Sequence, residues 1–393
     1  MTALTVASTI AGVLVLLGTS SSMVRTLIVP RGLPSKLTAL CTRATFGAAQ
    51  LAVRRVRDYE VRDRVLAWAA PLSILVTLAA WLAGYLVAYA LVLFSPPHLA
   101  LRAAFREAGS SLFTLGFAST DRARLTAVDF LAAATGPVVV GLLISYLSTV
   151  YAAYNRREVE VTMLDSRAGE PNWGPVILAR HASVRTIDNL RELFRGWERW
   201  AADVSESHVN YQVLVFVRSP RPGRSWLVGL LSVMDAAAMQ LAVAPSLPQG
   251  EARIAVRMGF TCLRDLADVF RLPYDPDPDP DGEISLTFAE FEEAYERIAT
   301  AGFPVERTAA EAWPHFRGWR VNYEALAYAI AWTIDAVPAR WSGPRRFTGA
   351  AIEPRTPVNR EPGGRVGRPY VPGVPEVRRP TAPTTPRPPE PHS

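Results

Sequence analysis

The run Phe113-Thr114-Leu115-Gly116-Phe117-Ala118 lies between two long apolar segments and follows a short helix-compatible stretch. A glycine-containing run in that position reads as a re-entrant loop, whose working groups are backbone carbonyls. At membrane depth such carbonyls need protein or a water-filled path to satisfy them. Side-chain chemistry elsewhere is weaker. Asp277 to Ser285 matches the opening positions of an EF-hand loop, with Gly282 at the turn, but Phe288 stands where the bidentate glutamate belongs, so calcium is not expected. His181, His208 and His315 have no ligand spacing and read as structural histidines. Cys41 and Cys262 have neither metal nor disulfide spacing. With no Ser/His/Asp arrangement and no phosphate-cradling glycine loop after a strand, the chain does not read as an enzyme and no cofactor is expected.

The elements that must position this loop follow from composition. The 393 residues are 49% hydrophobic and 20% charged, with mean hydropathy +0.12, which implies a membrane part and a water-facing part. The net charge of +6 is carried by arginine, since Lys36 is the only lysine, and nothing in it calls for nucleic acid. Three apolar segments reach the roughly 20 residues a spanning helix needs: Leu4 to Val24, Leu66 to Phe94 and Leu125 to Tyr154. No positive charge precedes the first, while Arg25 and Arg31 follow it, so residues 1–24 read as a retained first transmembrane helix and not a signal peptide. Residues 25–65 form a basic linker placed in the cytoplasm by the positive-inside rule, and the third span also ends on basic residues, Arg156 and Arg157. The expected protein is multi-pass in the cell (inner) membrane, among membrane lipid, with its N-terminus outside and its C-terminus cytoplasmic.

That topology puts residues 95–124, the loop region of a module spanning 66–154, on the outer side. Pro96 and Pro97 end the second span, and Leu99 to Leu112 reads as a short helix whose negative C-terminal end points at Thr114. Arg102, Arg106 and Glu107 cannot face hydrocarbon cheaply, so this helix packs inside an assembly or lies at the surface. Over residues 66–158 the arrangement resembles the bacterial potassium channel family, with the T-x-G-aromatic of Thr114 to Phe117 similar to its T-V-G-Y-G filter. The resemblance implies potassium or another monovalent cation coordinated by the backbone carbonyls of Thr114, Leu115, Gly116, Phe117 and Ala118, with no side-chain metal site. It also implies a homotetramer, since the family's filter is a ring of four. Ala118 departs from the family's final glycine. In Thr135-Gly136-Pro137 and Gly141, either glycine is a candidate gating hinge, and close helix packing through small residues is the equal alternative. Ile144 to Tyr151 would then line the inner mouth. The alternative of another class is a non-conducting membrane sensor or scaffold carrying a degenerate pore module.

Residues 155–342 read as a helical cytoplasmic domain. Leu190, Leu193, Phe194, Trp197, Ala201 and Val204 recur at helical spacing, and Thr287 with Glu290 and Thr308 with Glu311 form capping boxes. Trp226 to Val243 is apolar enough for a fourth span, but Asp235 at its middle favours a buried helix of the domain. Residues 343–393, rich in proline and arginine, read as a disordered tail, with Arg345, Arg346, Arg378 and Arg379 available to an anionic leaflet. The expected fold is thus an all-α membrane protein: a potassium-channel-like module of two helices and a re-entrant loop, one extra N-terminal transmembrane helix, and a helical cytoplasmic domain.

Overall fold

The computed structural model describes residues 3–29, 35–94, 99–118, 123–347 and 349–356, and among these the regular structure is helical, with two isolated bridges. In chain order α1 (Ala3–Leu27), α2 (Lys36–Ala52), α3 (Tyr59–Ala67), α4 (Ala69–Leu93), α5 (Leu101–Leu112) and α6 (Ala123–Ala168) come first. The domain helices are α7 (Gly174–Ser183), α8 (Leu190–Asn210), α9 (Val213–Phe216), α10 (Trp226–Val243), α11 (Gly250–Phe270), α12 (Phe288–Thr300), α13 (Ala309–Arg320) and α14 (Glu324–Ile334). Four stretches are long and apolar enough to cross a membrane: α1, α3 with α4, α6 and α10.

The packing of α1 on α4 follows the logic of a bilayer. Small and polar residues face inward, with Thr5, Ser8, Gly12, Thr19 and Ser22 buried, while Leu4, Ile10, Leu14 and Leu17 stay exposed. Lipid is as apolar as leucine, so close backbone approach and interhelical hydrogen bonds hold such helices together. A Cβ on Gly12 would sit 2.7 Å from the Ala88 carbonyl, and Trp81 Nε1 donates to Ser22 Oγ at 2.9 Å. Since Ser8 lies beside Phe94 and Ser22 beside Trp81, the two helices run antiparallel. Within the basic linker between them, α2 and α3 are formed. Ser35 caps α2 and Asp58 caps α3, each side chain accepting from amides of the first turn.

Helix α6 has 46 residues, which is about 69 Å at 1.5 Å per residue, more than twice the ~30 Å hydrocarbon core of a bilayer. It therefore continues without a break across the boundary expected after Tyr154 and enters the domain. There Val161, Leu164 and Ala168 join the core, and the fully buried Arg157 donates to Glu158, to the carbonyls of Leu214 and Val217, and to His208 Nε2. With its Nε2 taken, His208 directs Nδ1 at Ser207 Oγ. Burial and the adjacent Arg157 hold its pKa well below the usual histidine range. It is a structural histidine, as its isolation in the sequence suggests.

Helix α10 is the axis of the domain, with all 18 residues buried, so no face of it is left for lipid. Asp235 at its middle is paired with Arg320, and Tyr323 Oη donates to it at 2.9 Å. Arg320 also donates to Glu324 at 2.8 Å and to the Trp341 carbonyl at 2.7 Å. Both capping boxes form, at Thr287 with Glu290 and Thr308 with Glu311. A second buried group ties α3 to the domain: Arg62 pairs with Asp335, Asp63 pairs with Arg218, and Arg218 donates to the carbonyls of Ile334 and Asp335.

The tail begins later than composition suggests. Gly343 to Phe347 and residues 349–356 lie on the domain, where Arg345 is buried and donates to the carbonyls of Ala336 and Ser342, and Arg355 bridges Glu170. Arg345 therefore cannot serve a lipid surface. The segment is held by the guanidinium-to-carbonyl bonds of Arg345, by backbone bonds and by single apolar side chains, Phe347 and Ile352, which leave no apolar period in the sequence. Arg378 and Arg379 lie outside the described residues.

Arg320→Met would leave the Asp235 and Glu324 carboxylates buried without their cation, a change expected to cost roughly 3–5 kcal/mol. Denaturant unfolding of the full chain in detergent, followed by tryptophan fluorescence, checks it, and an unchanged midpoint would contradict a central role for this pair.

Candidate functional site

Helix α5 packs between α4 and α6 and buries Ala104, Glu107, Ala108, Ser110 and Leu112. Its last turn closes as a Schellman cap: Leu115 N donates to the Ser110 carbonyl at 2.8 Å and Thr114 N to the Ser111 carbonyl at 2.9 Å. This cap puts Thr114 in the left-handed region, at φ 55, a position that glycine usually fills and that costs a β-branched residue roughly 1–2 kcal/mol. Gly116 follows at φ 71 with open space around its Cα, so glycine is required there by backbone conformation and not by crowding. Ser110 is the anchor of the loop. Its carbonyl accepts from Leu115 and, at 3.4 Å, from Gly116, and its hydroxyl accepts from Ala118 N at 3.0 Å.

All the amides so engaged point back toward α5. Among the described residues, no donor reaches the carbonyl oxygens of Thr114, Leu115, Gly116, Phe117 or Ala118. The side chains of Phe113, Leu115 and Phe117 are about half exposed on the single chain. Arg106 folds over the Phe117 ring, 5.4 Å from its centroid, which gives its charge an aromatic partner. Ala118 is not among the residues with positive φ, so alanine is accommodated there without left-handed backbone, and the strain sits at Thr114 instead.

The depth of this cap is fixed by α6. A Cβ on Gly136 would lie 2.1 Å from the Leu112 carbonyl, so the end of α5 rests directly on that glycine. Gly136 is 11 residues along α6 from Leu125, the first residue of its candidate membrane-crossing stretch, or about 17 Å at helical rise. Ser111 Oγ donates to Asp129 Oδ1 at 2.9 Å on the way, and Tyr89 of α4 shares a hydrogen bond with Thr135 at 2.6 Å. Glu107 and Asp129 are both buried and face each other, and apart from one another Glu107 Oε1 and Asp129 Oδ2 have no partner among the described residues.

Of the two glycines on α6, Gly136 has a packing role, while a side chain at Gly141 would meet nothing within 4 Å. The helix is unbroken through both and through Pro137. Ser148 and Thr149, in the stretch read as an inner mouth, are exposed and turn their hydroxyls back to the carbonyls of Ile144 and Ser145. In the EF-hand-like loop, Asp281 pairs with Arg317 at 3.0 Å, and Asp279 accepts from the amide of Asp281. Two loop-supporting residues escape the sequence reading, Ser110 and Asp129. An ionisable residue inside an apolar span is the signal that marks Asp129; a serine one turn before a cap carries none.

Comparison with families of known proteins, with curated proteins and with solved structures finds no match for this chain.

Gly136→Val is expected to unseat α5 and destabilise the protein by about 1–3 kcal/mol, the usual cost of overpacking, whereas Gly141→Val leaves stability near wild type. Thermal melting in one detergent separates the two. Equal effects would mean that α5 does not depend on Gly136.

Proposed function

We propose that this chain is the pore-forming subunit of a potassium-type cation channel that conducts passively through backbone carbonyls. One observation carries the reading: the capped end of α5 lies about 17 Å along an apolar helix, and the five carbonyls after it have no donor among the described residues. Irregular backbone at that depth is stable only where protein or an aqueous path takes up its lone pairs. A dehydrated cation is such a partner, and the negative end of α5 favours it further.

One loop cannot enclose an ion. The half-exposed Phe113, Leu115 and Phe117, together with exposed Phe130 and Ile144 on α6, offer the face on which further copies pack, and fourfold closure is the arrangement the filter-like run implies. In this reading the carbonyls of Thr114, Leu115 and Gly116 do most of the selecting. The N-terminus is outside and the domain cytoplasmic, as the basic linker requires. Because α6 passes unbroken from the loop into the domain, domain movement acts on the inner mouth, with Gly141 the freer site for a bend.

Purified protein in liposomes is expected to pass potassium down its gradient, and Gly116→Val to abolish this. Ala118→Gly is expected to raise the potassium-to-sodium permeability ratio about fivefold, because glycine opens the positive-φ conformation that alanine, not at positive φ here, disfavours by ~1 kcal/mol. An unchanged ratio would show that selectivity is not limited at Ala118. No flux above empty liposomes would favour the scaffold reading.

A further inference from the structure

A large cavity lies away from the loop, where one end of the apolar helices faces the domain. It is an open groove of about 1260 Å³, above the roughly 300–1,000 Å³ typical of small-molecule pockets. Its floor is apolar on both sides: Ile74, Trp81 and Leu143 from the spans, Val209, Phe216 and Phe270 from the domain. Its two walls carry opposite charge. Arg25, Lys36 and Arg43 line the side built by α1 and α2, whereas Glu206, Asp265 and Asp268 line the side built by α8 and α11, with Arg271 the one cation among them.

Among the described residues none of these three cations and none of these three acids forms an ion pair, whereas Arg157 and Arg320 in the domain core are paired. Asp265 accepts from Ser205 Oγ and Glu206 from the Asn210 amide, neutral bonds that leave their charges uncompensated. The open groove separates the walls, so they do not neutralise each other. An occupant complementary to both is bipolar, with an anionic group for α1 and α2, a cationic group for the domain, and an apolar body for the floor.

We infer that the groove holds one zwitterionic phospholipid with a primary ammonium, a phosphatidylethanolamine. Its phosphate lies against Arg25, Lys36 and Arg43, its ammonium against Glu206, Asp265 and Asp268, and its acyl chains along Ile74, Trp81 and Leu143. An anionic lipid matches only one wall, because its headgroup meets the acids opposite without a cation to offer them. The inference does not depend on ion conduction.

Native mass spectrometry of the delipidated full chain, titrated separately with dioleoyl phosphatidylethanolamine, phosphatidylglycerol and phosphatidylcholine, tests it. Phosphatidylethanolamine is expected to bind at least fivefold more tightly than either of the others. In the double variant Asp265→Asn, Asp268→Asn that preference is expected to disappear, with phosphatidylglycerol binding strengthened, and Arg43→Gln weakens both phosphatidylethanolamine and phosphatidylglycerol. Equal or tighter binding of phosphatidylglycerol or phosphatidylcholine to the unaltered protein, a preference that survives the double variant, or no retained lipid would overturn the assignment. The altered residues are partly or fully exposed, so the variants are expected to fold.

Discussion

A backbone carbonyl inside a bilayer must give its lone pairs to something, and on the proposed reading this constraint accounts for the support built around residues 114–118. The run from Thr114 to Ala118 is not helical, so it needs a rigid support. That support is the contact between the Leu112 carbonyl and Gly136, reinforced by Ser111 on Asp129 and by the three bonds that Ser110 makes to the loop amides. With the amides directed inward to Ser110 and Ser111, the carbonyls have only the open side left. Thr114 in a left-handed cap is tolerated because two cap bonds and the packing of α5 over-determine it.

The same economy of contacts governs how the membrane helices meet the domain. Helix α6 enters the domain through Arg157, whose guanidinium is shared among Glu158, His208 and two carbonyls. Helix α4 is gripped through α3, by Arg62 on Asp335 and Asp63 on Arg218. Removing one partner from a buried pair of this kind costs several kcal/mol, so neither helix separates readily from the domain. A displacement of the domain is therefore felt by α4 and α6 together, and these are the helices between which α5 is seated. On the α2 side Gln50 donates to the Thr333 carbonyl and Phe46 packs on Phe216, and the groove opens beside these contacts.

Much of this is legible in the sequence. The three long apolar helices α1, α4 and α6, both capping boxes and the buried helix around Asp235 follow from hydropathy, from Thr-x-x-Glu spacing and from the cost of an unpaired charge in lipid. The unbroken length of α6 is not, because Arg156 and Arg157 look like a membrane boundary while Val161, Leu164 and Ala168 continue the helix beyond it. Helices α2 and α3 hide in a basic linker whose composition outweighs the caps at Ser35 and Asp58. The folded segment after Gly343 is invisible for a different reason, since arginine bonded to carbonyls has the composition of a solvated tail. The loop's position beside Gly136 is a long-range contact, and no local pattern encodes it.

The most direct measurement is the depth of the loop in a bilayer. Cys41 and Cys262 are both buried, so a nitroxide reagent can be directed to Leu115→Cys in the otherwise native chain. In liposomes the expected result is a label roughly 15 Å below the outer surface, near the middle of a ~30 Å core, that is nevertheless reached by a water-soluble paramagnetic reagent. A label at headgroup level or in bulk water would mean that residues 113–118 form an outer loop, and a carbonyl-lined ion path through them would be ruled out.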